Sequence, residues 1–136
     1  MDLELNDEQI LLRDGLRQLL EGACALRRVR SVAYEGDGRD AALWKELAAG
    51  DWVTSAAPTS IGGGGLGFEE AVVIAMEAGR ALLHVPLIET LLATREIARS
   101  GQTLLLRAIV DPRSSATLAL GEVSEHYHEL PHGCRA

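Results

Sequence analysis

Four glycines in succession, Gly62 to Gly65, followed by Gly67, set the strongest constraint on this chain. Without Cβ atoms, the backbone there takes φ > 0 freely and approaches another surface closely. Ile61 to Gly67 therefore reads as a tight loop, and the stretch after it reads as two helices parted by Pro86. From Phe68 to Leu83, the residues Ala71, Val72, Ala75, Ala78, Gly79 and Leu82 recur at three- and four-residue spacing. That spacing predicts an apolar stripe with a small-residue seam, suited to close packing against another helix. A second helix, Leu87 to Ser100, carries Leu87, Ile88, Leu91, Leu92 and Ile97, with Gly101 as its stop.

Composition extends the helical reading. The chain has 136 residues, a length that suits one domain. It is 47% hydrophobic but only 4% aromatic, so its core must be built from Leu, Ala, Val and Ile. Such a core favours packed helices over a strand-rich sandwich. Asn6 and Gln9 form a capping-box pattern, with Leu5 and Ile10 as the staple, and Leu12, Leu16, Leu19, Leu20 and Ala23 trace one face. This first helix is expected to run to about Arg28, with Arg13, Asp14, Arg17 and Glu21 facing water. Ser31 to Asp40 reads as an exposed loop, and Asp40 as the cap of a short helix, Ala41 to Ala49, closed by Gly50. Asp51 to Ser60 reads as an extended connection, Gln102 to Val110 as a further short helix, and 111–115 as a turn. Ala116 to Leu120 has the pattern of a buried strand. One strand makes no sheet, so the chain reads as a fragment. Trp44, Trp52 and Met76 are expected in the core.

Charge and sorting signals narrow the function classes. The net charge of −7 opposes a nucleic-acid partner. The N-terminus lacks the basic and apolar regions of a leader, and no run of eighteen apolar residues exists to span a membrane. A soluble, cytoplasmic protein is expected. Cys24 and Cys134 form no motif. His126, His128, His132 and Cys134 are zinc-ligand types, but Pro131 keeps His128 and His132 off one helix face. The expectation is a disordered tail over 123–136, with no metal site. Gly62, Gly64 and Gly67 satisfy Gly-x-Gly-x-x-Gly without the preceding strand a dinucleotide fingerprint needs, so the loop is read as structural. Glu77, in an apolar helix, is read as a structural partner of Arg80.

The order of motifs resembles the N-terminal helical domain of the acyl-CoA dehydrogenase family. Leu5 to Gln9 matches its opening Leu-x-x-Glu-Gln. Trp44-Lys45-Glu46-Leu47 and then Asp51-Trp52 match its Trp-x-x-Leu helix and the Gly-Trp after it. Pro58 to Gly67 matches its glycine loop, Glu77-Ala78-Gly79-Arg80-Ala81 its helix end, and Pro86-Leu87 the next helix entry. Thr117 to Glu122 matches the first strand of the family's middle β-domain. The match covers about residues 3 to 122; Ile61 stands where an aromatic is usual, and nothing after Glu122 corresponds.

The resemblance implies an all-α, up-down bundle of four to five helices with one short C-terminal strand beginning a missing β-domain. It divides the chain into a helical domain at 1–115, the start of a β-domain at 116–122 and an unmatched tail at 123–136. It implies FAD-dependent α,β-dehydrogenation of an acyl-CoA, in which a carboxylate takes the α-proton and flavin the hydride. The base and most flavin contacts belong to the missing parts, so this chain is expected to hold FAD poorly and to be inactive alone. Its partner is then a related subunit, the same or different, or the missing C-terminal part. Its own share is a wall of the acyl pocket, assigned by the resemblance to Leu87, Thr90 and Leu91. The alternative is a non-enzymatic helical interaction module that docks a partner helix at Ala75, Ala78 and Gly79.

Overall fold

In the computed structural model, which describes residues 4–36, 38, 40–109, 111 and 114–118, Asn6 caps the first helix. Its side chain accepts from the Gln9 N–H at 2.8 Å, and the Gln9 side chain accepts from the Asn6 N–H at 3.2 Å. The reciprocal cap satisfies two amides that a helix start leaves unpaired. Among the described residues six helices occur in order: α1 (Asp7–Ala23), α2 (Leu26–Tyr34), α3 (Ala41–Ala49), α4 (Phe68–Arg80), α5 (Leu87–Ser100) and α6 (Thr103–Ile109), with a 3-10 turn at Thr59–Ile61. The described residues are all-α, with one helix more than the upper expectation.

The extra helix comes from a break near Cys24. Ala25 takes φ −55° and ψ 133°, outside the helical region, and the Cys24 N–H closes α1 on the Leu20 carbonyl at 2.7 Å. From the helix that begins after this turn, Arg28 reaches Asp40. α2 then continues to Tyr34, into the stretch expected to be loop.

α1 packs on α4, α4 on α5, and α5 on α6. Leu16, Leu20, Leu43, Leu47, Val53, Ile74, Leu87 and Leu91 form the core, with Trp44 and Trp52 half-buried at its edge. Burying each such Leu contributes about 1.5–3 kcal/mol. The face of α4 differs from the expected stripe. Val73, Ile74, Glu77 and Ala78 are buried, while Val72, Leu82 and Met76 are exposed, Met76 at 69%. Contact with α1 sets this rotation and turns Ala71 and Ala75 toward α5 instead. Met76 is not a core residue. α4 ends early because Leu82 takes φ 54°, and its N–H bonds the Gly79 carbonyl at 3.1 Å.

The connection expected to be extended is a chain of turns, with Trp52, Ser55 and Ala57 N–H groups bonding the Leu47, Trp52 and Thr54 carbonyls. The glycine loop folds back onto it. Gly64 N–H bonds Thr54 O at 3.2 Å, Gly65 N–H bonds Ala57 O at 2.8 Å, and Leu66 N–H bonds Ser55 O at 2.9 Å. The surface approached closely is the chain's own: a Cβ on Gly63 would overlap the Ala57 carbonyl.

The expected strand does not form over 116–118, the part of it among the described residues. Ser114, Ala116 and Leu118 are half-buried while Ser115 and Thr117 are exposed, so strand alternation is present. No described strand lies beside it to complete a ladder, and the Ala116 backbone bonds Thr90 instead. Residues 119–136, including His126, His128, His132 and Cys134, lie outside the described residues.

Two alanine substitutions are expected to move stability in opposite directions. Gly63→Ala should cost about 1–3 kcal/mol by overpacking against Ala57. Gly79→Ala, in helix with open space around its Cβ, should gain about 0.5–1 kcal/mol. Thermal melts followed by circular dichroism check both; equal shifts would contradict the packing described.

Candidate functional site

Packing α4 against α5 leaves an apolar groove between them. Phe68, Ala71, Val72 and Ala75 form one side, Ile88, Leu91 and Leu92 the other, around about 140 Å³. The two alanines open it, since a longer side chain at either would fill it. Phe68, Val72 and Leu92 stay exposed at its lip, at 57%, 42% and 40%. The Arg95 guanidinium lies 5.6 Å from the Phe68 ring centroid, a cation–π distance that orders this lip. The lining side chains carry no ionisable group. Its lining suits apolar matter and supplies no group for acid–base chemistry.

The buried carboxylates lie elsewhere and are fully engaged. Glu77 accepts from Arg17 Nε at 3.0 Å and Nη2 at 2.6 Å, and from Arg80 Nε at 2.8 Å. Arg17 chiefly, with Arg80 adding to it, holds the Glu77 carboxyl down at about 2, against the opposing effect of burial. A general base needs a pKa near neutrality, so Glu77 is structural. The expected Arg80 pairing is present; Arg17, expected to face water, is the second partner.

Asp40 is tied more heavily still. It accepts from Arg28 Nε at 2.7 Å and Nη2 at 2.8 Å, from the Leu43 N–H at 3.0 Å, and from His84 Nε2 at 2.9 Å. The Arg28 guanidinium foremost keeps its carboxyl well below the usual carboxylate range. Asp40 caps α3 as expected, but it also fastens α2 and the α4–α5 connection. His84 Nδ1 is buried and has no hydrogen-bond partner among the described residues.

Of the residues assigned by resemblance, all three sit on α5: Leu87 and Thr90 at 0% exposure and Leu91 at 2%. Leu87 and Leu91 belong to the core, and Leu91 also forms part of the groove wall. Thr90 bonds the Pro86 carbonyl and the Ala116 backbone. Ala71, Val72 and Ala75 were legible as an apolar helix face but not as a groove wall, because that depends on how α5 crosses it. The glycine loop is no phosphate cradle. Its Gly63, Gly64, Gly65 and Leu66 amides are all spent on carbonyls of 54–58. Among the described residues no group of His, Cys, Asp and Glu could hold a metal ion, and no helix is long and apolar enough to cross a membrane.

Comparison with known proteins gives a consistent result. Residues 6–110 match the family profile described as acyl-CoA dehydrogenase, N-terminal domain. The acyl-CoA dehydrogenase IpdE2 of Mycolicibacterium smegmatis is 30% identical over 117 residues, 84% of this chain and 37% of that protein. The acyl-CoA dehydrogenase FadE27 of Mycobacterium tuberculosis is 32% identical over 84 residues, 61% of this chain and 22% of its own length. A solved structure of a Tcur3481-Tcur3483 steroid ACAD variant superposes with a TM-score of 0.77 at 34% identity, covering 88% of this chain and 34% of that one. The chain thus spans about a third or less of the length of these proteins.

The ion pairs at Glu77 carry a pH signature. Its folded pKa lies below the unfolded value, so the stabilisation is present above about 4.5 and is lost as pH falls toward about 2. Glu77→Gln should lower stability at pH 7 by about 1–3 kcal/mol and flatten the loss between those pH values. Melting temperatures of both proteins from pH 2 to 7 check this, and parallel curves would contradict it.

Proposed function

This chain belongs to the acyl-CoA dehydrogenase family by its N-terminal domain, and from that premise we propose that it supplies one wall of an acyl-CoA site in a flavoprotein. The whole protein would be a cytoplasmic oxidoreductase carrying out FAD-dependent α,β-dehydrogenation of an acyl-CoA thioester. The observation that carries this is the groove between α4 and α5, apolar along its whole lining, inside the matched segment. Leu91 would touch the acyl group, with Leu87 and Thr90 holding the wall from behind. The domain division at 1–115, 116–122 and 123–136 belongs to the same proposal.

The flavin would accept the hydride. The glycine loop offers it no pyrophosphate cradle, because its amides are occupied. Nor do Asp40 and Glu77, both saturated by guanidinium groups, offer a base. Base and flavin contacts would come from a related subunit or from further chain, and this chain alone would be inactive. The steroid ACAD named above makes ring-bearing acyl groups the first class to test. A space near 140 Å³ suits a single ring, since an apolar cavity of about 150 Å³ binds benzene.

A second reading, a helical interaction module without activity, draws on the α4 stripe Phe68, Val72 and Met76, exposed at 57%, 42% and 69%. Its proposed seam is reduced, because Ala78 is only 4% exposed and belongs to the buried face, leaving Ala75 and Gly79.

Titration of the chain with octanoyl-CoA, a steroid side-chain acyl-CoA and free CoA, followed by methyl NMR, separates the readings. Acyl-dependent shifts at Val72, Ile88, Leu91 and Leu92 are expected, and Ala75→Leu should remove them. Shifts identical with free CoA, or none, would sink the acyl-wall reading. The chain incubated with FAD and desalted should stay colourless.

A further inference from the structure

Thr90 is fully buried on α5, yet its hydroxyl serves a segment 26 residues further on. It donates to the Pro86 carbonyl at 2.7 Å and accepts from the Ala116 N–H at 3.1 Å. The Ala116 carbonyl lies 3.3 Å from the same oxygen, within reach of the hydroxyl hydrogen. Both backbone groups of one residue thus converge on one side chain. The surrounding segment has the alternation of a strand, with Ser114, Ala116 and Leu118 turned inward and Ser115 and Thr117 outward. A partly buried amide and carbonyl call for partners, and a strand normally finds them in its neighbour. Here the neighbour is a helix, and what meets Ala116 is one of its side chains. A hydroxyl both donates and accepts, so this one takes the Ala116 amide and shares its single hydrogen between the Pro86 and Ala116 carbonyls.

We propose that Thr90 is a positioning residue that stands in for a strand partner and fixes where the chain leaves the helical unit. Ala116 is thereby tied to the first half of α5. The proposal rests on the reading that residues after 115 open a second unit of an acyl-CoA dehydrogenase. It assigns Thr90 a role that acyl contact does not supply.

Amide hydrogen exchange on the full 136-residue chain tests it. In the unmodified protein the Ala116 amide should exchange roughly tenfold more slowly than those of Ser115 and Thr117. Thr90→Val, which keeps the shape and removes the hydroxyl, should abolish that difference while core amides in α1 and α4 stay protected. Thr90→Ser should restore it. Equal exchange at 115, 116 and 117 in the unmodified protein overturns the proposal without any variant, even if Thr90→Val fails to fold. Persistent Ala116 protection in Thr90→Val also overturns it. A flat acyl-CoA titration would remove the functional reading and leave this result standing, so the two failures are separable.

Discussion

The register between α1 and α4 is the constraint on which the remainder rests. These helices meet after an intervening stretch that contains α2, α3 and the glycine loop, and they are held at both ends. At one end Gln9, already part of the α1 cap, donates to Glu70 at 2.9 Å, and Glu70 accepts from the Gly67 N–H at 2.9 Å to begin α4. Further along, the Arg17 fork grips Glu77. Between them lie Leu16, Val73 and Ile74, buried to 5% exposure or less, with Leu20 one turn further on. Apolar contact alone would tolerate sliding by a turn; two polar ties at fixed positions do not. With α4 so placed, α5 has one face left to pack on, and the groove is a result of that geometry.

What was legible in the sequence was local. Asn6 with Gln9, Asp40 before α3, and Gly101 after α5 are signals whose two halves lie within a few residues, and each acts as expected. The aliphatic composition forecast a helical core for the same reason: it needs no knowledge of partners. What was hidden depended on distance. Arg17 and Glu77 are separated by 60 residues, and nothing near Arg17 distinguishes it from a solvated arginine. The rotation of α4 was hidden too, because its apolar positions cover more than one face and only α1 decides which is buried. The break after Ala23 carries neither Gly nor Pro, so it had no local mark.

The charges in this fold are structural in a strong sense. Asp40 gathers α2, α3 and the α4–α5 connection on one carboxylate, while Glu77 joins α1 to α4. Each is held ionised by guanidinium groups, and each would leave buried charge exposed to an apolar surround if a partner were lost. Such groups define a scaffold. The groove beside them is consequently free of titrating groups and supplies shape rather than reactivity.

The exposed stripe of Phe68, Val72 and Met76 also has a colloidal consequence. At neutral pH the chain carries −7, so two copies approaching through this face meet mutual repulsion before their apolar side chains touch. That repulsion fades near pH 5.0, where the net charge vanishes. The apolar attraction does not fade with it. Acidity therefore weakens the repulsion that opposes contact through this patch, although the charges concerned lie elsewhere on the chain.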